Sequence, residues 1–223
     1  LMEHHSTTNM QAVRDGLDLS RVTDLLVTHA HPDHLTPAEL GFHIPPFAHD
    51  NVPLHVWGSE PVISKVESAV GGWSDADERL HLLKPLQEVT LQDGTYVLAL
   101  PANHGPESGP LNYVVRREGK TLLYGLDSGV YPDEAWAAHK GHSFDVVIID
   151  CTHGDRDFVN GHGSLNGAIR IKERMLAAGT AHAETVFVAN HFSHNGGMLH
   201  EEMEAKLNPA GILVAWDGMV IEV

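Results

Sequence analysis

Along the chain, short apolar and β-branched runs alternate with amphipathic stretches, and each change of pattern marks an element. Residues 22–27 read as a strand, and 54–57 alternate like a second one. Thr7 or Thr8 caps a short helix over 9–14 that Gly16 ends. Thr36-Pro37-Ala38-Glu39 has the form of a capping box with proline at the first helical position, opening a short helix that Pro45-Pro46 stops. Residues 59–70 read as a helix closed by Gly71-Gly72. Strands at 88–91 and 96–100 flank an Asp93-Gly94 turn, and 111–116 pairs with 121–126 across Glu118-Gly119-Lys120. The pattern then changes to a helix at 133–139, a strongly apolar strand at 145–150 and a helix that Ser164 caps and Gly179 closes. A strand at 185–189, a helix at 200–207 and a final hairpin at 212–223 over Asp217-Gly218 complete the chain. Hairpins followed by alternating strands and helices suit two packed mixed sheets with helices outside, in one α+β domain spanning 1–223.

Composition narrows the partners. Hydrophobic residues make up 42% of the 223 and charged residues 20%, as in ordinary globular domains. No apolar run is long enough for a membrane helix, and no basic-then-apolar leader opens the sequence. Cys151 is the only cysteine, so no internal disulfide forms and a reducing, cytoplasmic setting is expected. The formal net charge is −16, with 14 Lys and Arg against 30 Asp and Glu. That balance disfavours nucleic acid and anionic membranes as partners. It leaves a small-molecule substrate, anionic if bound cations dominate the local field. A homodimer is compatible with the composition.

The candidate chemistry begins where the 22–27 strand ends. His29, His31, Asp33 and His34 form an H-x-H-x-D-H cluster in a loop. His29 and His31 are two apart and share a side if the strand continues, whereas Pro32 turns Asp33 and His34 toward a second point. Imidazole suits Zn, Mn or Fe, and a carboxylate adds a hard anionic ligand. Four ligands from so short a segment would crowd one ion but divide comfortably between two. Further candidates close other strands in the same manner: His104 after 96–100, Asp127 after 121–126, and His191 after 185–189, with His194 as its rival. Two cations about 4 Å apart would hold a water or hydroxide between them and lower its pKa toward about 7. No serine or cysteine nucleophile is then needed, and Cys151 reads as inert packing.

These residues resemble the metallo-β-lactamase superfamily of two-metal hydrolases, whose H-x-H-x-D-H motif matches His29, His31, Asp33 and His34 one for one. The resemblance implies an αββα sandwich with the metals at one edge. It implies one ion held by His29, His31 and His104, a second by Asp33, His34 and His191, and Asp127 as the bridge. Within the superfamily the likeness is to phosphoribosyl cyclic phosphate phosphodiesterases. It is carried by Asp150-Cys151-Thr152, by His162 between glycines before a helix, by Asn190-His191-Phe192-Ser193-His194-Asn195 and by Ala215-Trp216-Asp217-Gly218-Met219. It implies His162 as general acid, Asp33 within the catalytic machinery, and His162 and His194 lining the substrate pocket. The implied activity is hydrolysis of a small or cyclic phosphodiester by a metal-bridging hydroxide. The alternatives are a lactone, ester or lactam hydrolase on the same centre, or a metal-bound, non-catalytic ligand-binding protein.

Two features depart from the family pattern. The opening β-hairpin is absent or cut short, so the true N-terminus is expected upstream, with Leu1–Ser6, including His4 and His5, as a disordered tail. The 42–49 insert, which contains His43 and His49, reads as a packed loop near the metal motif. His142 and His153 read as surface residues.

Overall fold

A computed structural model describes residues 1–43, 46–49, 52–71, 73, 75–157 and 160–223. Ile44 and Pro45 of the insert and Gly72 of the expected helix stop lie outside the described residues. The backbone divides into two compact units, Leu1–Lys84 with Pro106–Leu111, and Pro85–Gly105 with Asn112–Val223.

In the first unit, helix α1 (Thr8–Asp15) precedes strand β1 (Asp24–Leu26). Strand β2 (His55–Gly58), helices α2 (Glu60–Ala69) and α3 (Ala76–Arg79) and strand β3 (Leu80–Leu82) follow. The three strands pair in the order β1-β2-β3, all parallel, with Leu25 opposite Val56 and Val56 opposite Leu80. A mixed sheet was expected here. Each connection instead returns the chain in the same sense, as parallel pairing through long crossovers requires. Leu25, Val27, Val56, Val62, Val66 and Trp73 form the apolar core of this unit. Val62 occupies the place a Cβ on Gly58 would take, so α2 starts tight against β2. Strand β3 escaped the pattern because three residues, two partly buried and Leu82 exposed, are too few to show alternation.

Two expectations for this unit are corrected. Residues 1–4 are not a disordered tail. Leu26 N–H donates to Leu1 O, Glu3 N–H to Leu26 O and His4 N–H to His34 O, so the segment runs beside β1 and the metal loop. The capping box also fails. Thr36 N–H donates to His4 O, and the Glu39 carboxylate accepts from Asn9 Nδ2 at 2.8 Å, so neither half of the box closes. The residues after it form a 3-10 helix, Pro37–His43.

The second sheet has seven strands: β4 (Glu88–Thr90), β5 (Tyr96–Pro101), β6 (Leu111–Arg117), β7 (Lys120–Gly125), β8 (Val146–Asp150), β9 (Val186–Asn190) and β10 (Ile212–Val214). Helix α4 (Asp133–His139) joins β7 to β8, α5 (Leu165–Ala178) joins β8 to β9, and α6 (His200–Leu207) lies between β9 and β10. The pairs β4–β5 and β6–β7 are antiparallel, and β7 through β10 are parallel. Glu118 and Gly119 both take left-handed φ, 52° and 80°, which is the geometry of a tight two-residue hairpin turn. Helix α5 buries Leu165, Ala168, Ile171 and Met175 at helical spacing against Val147, Ile149 and Phe187 of the sheet.

The final hairpin does not form as expected. Ile212–Val214 pairs in parallel with β9, and Met219 N–H closes a turn on Trp216 O, but 215–223 add no strand among the described residues. The return arm is mostly exposed, Val220 at 82%, and so gains no apolar burial from pairing. Among the described residues no helix is long and apolar enough to cross a membrane.

Candidate metal centre

In the first unit, the H-x-H-x-D-H loop leaves β1 on a backbone held from three sides. Ala30 N–H donates to Ser108 O, Leu111 N–H to Thr28 O, and Lys65 Nζ on α2 to Ala30 O at 2.7 Å. His29 and His31 turn edge to face, with His29 Nε2 and His31 Nδ1 2.9 Å apart. That separation suits two ligands of one ion with bonds of about 2.0–2.1 Å. His29 Nδ1 lies 3.0 Å from Thr28 Oγ1. The His34 ring tilts over His29, with Nε2 3.6 Å from Asp33 Oδ2 and Nδ1 3.5 Å from Glu3 Oε2. Asp33 is exposed, whereas Glu3 is buried and accepts the Thr28 N–H through Oε1. Glu3 thus ties the N-terminal segment to the loop.

In the second unit, the parallel direction of β7, β8 and β9 collects polar side chains at one sheet edge. Asp127 lies two residues beyond β7, Asp150 ends β8, and His191 directly follows β9. The carboxyl ends of parallel strands are where open α/β sheets place ligands. His162 comes from the loop before α5, and His104 lies three residues beyond β5. Ligand atoms of Asp127, Asp150, His162 and His191 all lie within 4.8 Å of one another. Asp127 Oδ2 is 3.3 Å from His191 Nε2, and Oδ1 is 3.6 Å from His162 Nδ1 and 3.9 Å from His104 Nε2.

Hydrogen bonds at the far ring nitrogens set the tautomers. The Gly161 carbonyl can only accept, so His104 donates to it from Nδ1 at 2.8 Å and keeps the Nε2 lone pair for a metal. Thr152 donates its hydroxyl proton to His191 O at 2.9 Å, so its oxygen accepts from His191 Nδ1 at 2.7 Å, which again places the ring lone pair on Nε2. Metal-binding histidines are oriented in this way. Asp150 is fully buried. Its Oδ1 accepts the Thr152 and Gly163 N–H groups at 2.8 and 3.1 Å, and its Oδ2 accepts from His162 Nδ1 at 2.8 Å. Two of the donors pay backbone strain: Asp127 at φ 49° and His191 at φ 60° sit in the left-handed region, which costs a non-glycine residue about 1–3 kcal/mol.

His29, His31, Asp33 and His34 are therefore neighbours in one unit, and His104, Asp127, His162 and His191 converge in the other. His194 is exposed in a short 3-10 turn, and no side-chain hydrogen bond or ring contact among the described residues joins it to the cluster. His153 is not a surface residue: it is partly buried, with its ring edge-on to His162 at 5.7 Å. His142 is also partly buried, packed on Phe144 and Tyr96. Cys151 is buried against Ser164 O, and burial followed by the Asp150 charge holds its thiol well above the usual range. Asp150, Thr152 and Glu3 were not assigned roles from the sequence. Asp150 carried a usable signal, since it ends a buried strand as the other donors follow theirs.

The family model described as beta-lactamase superfamily domain matches residues 2–192. The Ribonuclease TTHA0252 of Thermus thermophilus is 30% identical over 176 residues, covering 74% of this chain and 39% of that protein, so the chain spans about two fifths of its length. The metallo-beta-lactamase fold protein YhfI of Bacillus subtilis superposes with a TM-score of 0.73 at 17% identity, covering 99% of this chain and 86% of the other. The short form of human tRNase Z gives 0.67 at 18% identity, over 99% and 86%.

Proposed function

Because the chain belongs to the beta-lactamase superfamily domain family, we propose that it is a metal-dependent phosphodiesterase acting on a small or cyclic phosphodiester. The observation that carries this reading is the convergence of Asp127, Asp150, His162 and His191 within 4.8 Å at the carboxyl ends of three strands. The donor chemistry fits divalent ions: imidazole Nε2 atoms with their Nδ1 partners satisfied, and the buried Asp127 carboxylate beside them. In this proposal His29, His31 and His104 would hold one ion, Asp33, His34 and His191 would hold the other, and Asp127 would contribute to both. Bound divalent ions supply Lewis acidity toward a phosphoryl oxygen and acidify a water at neutral pH.

The residues of the chain supply the proton for the leaving group. Asp150 accepts from His162 Nδ1, fixing the ring plane and presenting Nε2 outward. A second proton on that ring is stabilised by the buried carboxylate and is delivered from Nε2 to the departing oxygen. Thr152 lies 3.2 Å from the same Nδ1 and 2.7 Å from that of His191, so one hydroxyl aligns the acid with a metal-binding ring.

A small substrate is favoured over RNA by the net charge of −16, although one relative carries the name ribonuclease. Turnover of bis(p-nitrophenyl) phosphate and a cyclic phosphodiester, set beside a lactone panel and an RNA oligonucleotide, tests the reading. Metal-dependent cleavage of the small diesters is expected. Lactone hydrolysis with no phosphodiester cleavage at any metal content would overturn it, and preference for the oligonucleotide would remove the small-substrate part.

A further inference from the structure

Beside the acid loop, the second unit has a cavity of about 200 Å³ that the phosphodiesterase reading does not use. Tyr131, Trp136 and Ile171 give it apolar walls, Gly163 forms part of its lining, and Arg170 and Arg174 line it from α5. The arginines are four residues apart, on one face of the helix. The Arg174 guanidinium carbon lies over the Trp136 ring, 3.9 Å from its centroid. Arg170 pairs with Asp157 at 2.7 Å, whereas Arg174 has no carboxylate within ion-pair distance among the described residues. In a chain of net charge −16, an arginine held by an aromatic face with its donors unclaimed by acid is a recognition feature. Gly163 follows His162 directly, so the cavity shares its wall with the loop that carries the proposed acid.

We propose that this cavity is a subsite for the leaving group of the substrate: a single small ring bearing an anionic substituent, with the ring against Trp136 and Ile171 and the anion on Arg174. The volume sets the size. Pockets for drug-sized ligands run to about 300–1,000 Å³, so a cavity of about 200 Å³ suits one small ring better than a nucleobase with its sugar. Apolar walls with a few convergent charged groups, here Arg174 beside the acid-paired Arg170, are what small-ligand pockets present. The role as a leaving-group subsite rests on the hydrolase reading, but the binding preference does not.

The test uses ligand-observed titration of the metal-loaded protein with benzoate and its neutral isostere benzamide. Benzoate is expected to bind about tenfold more tightly, and Arg174→Met to bring the two within about twofold, while Arg174→Lys retains part of the preference. Benzoate held at metal ions elsewhere would be insensitive to Arg174→Met, so undiminished benzoate binding in that variant overturns the subsite. Equal binding of the two probes to the native protein does the same. A second arm compares methyl 4-carboxyphenyl phosphate with methyl phenyl phosphate. A higher kcat/KM for the carboxylated ester, lost in Arg174→Met, places the subsite on the reaction path. Preference for benzoate with no hydrolysis of either ester keeps the site and rejects the hydrolase reading instead.

Discussion

Asp150 Oδ2 and His162 Nδ1 lie 2.8 Å apart, with the carboxylate fully buried and its other oxygen held by two backbone N–H groups. The carboxylate cannot rotate away, so the ring it holds has one orientation. If that ring protonates the leaving group, Asp150→Asn should lower kcat by about a hundredfold on a diester with an alkoxide leaving group. The loss should be small with p-nitrophenolate, which departs without a proton. Paired rates on the two substrates, with metal content measured in parallel, check this. Equal losses on both would assign Asp150 to metal binding or folding.

Gly163 permits that arrangement. A Cβ there would overlap the backbone carbonyl of Asp150. Backbone cannot yield as a flexible side chain can, so Gly163→Ala should displace the loop and reproduce the selective loss of Asp150→Asn with a lowered Tm. Thermal unfolding and the same pair of substrates measure both effects.

Thr152→Val keeps the shape of the side chain and removes the acceptor for His191 Nδ1. Substitutions at such supporting positions cost metal affinity about 10–100-fold. Titration of the stripped variant with Zn or Mn should show a loss in that range, and an unchanged affinity would mean that the His191 ring needs no such partner.

Strand ends made much of the centre legible in the sequence. His104, Asp127 and His191 were readable because each follows an apolar run into a loop, and the parallel order of β7, β8 and β9 brings such ends to one edge. Glu3 was not readable, because its role depends on pairing of residues 1–4 with β1, and no local pattern announces a bridge to a strand more than twenty residues away. The capping box misled for a related reason. Local hydrogen bonds at Thr36 and Glu39 lost to tertiary ones from His4 and Asn9. The return arm after Gly218 had hairpin chemistry at its turn and apolar residues along it, yet Val220 and Val223 stay exposed and the arm adds no strand.

His139 gives a prediction for acid stability. It is buried among Tyr131, Trp136 and Phe144, and burial, reinforced by His142 and Arg174, lowers its pKa from 6.5 to about 4. Between those values the unfolded chain binds the proton and the folded one does not. Stability is therefore complete above pH 6.5 and lost as pH falls toward 4, by roughly 2 kcal/mol between pH 7 and 5. Urea unfolding at the two pH values should show a loss of at least that size in the native protein, because burial depresses His4 in the same direction, and a smaller loss in His139→Phe.

Metal stoichiometry tests the central claim most directly. Elemental analysis of the purified chain after equilibration with Zn or Mn, beside Asp127→Ala, is the decisive comparison. The account predicts about two ions per native chain and a clear deficit in Asp127→Ala with the fold intact. A native chain that retains no metal, or an Asp127→Ala variant that retains as much as the native protein, would contradict it.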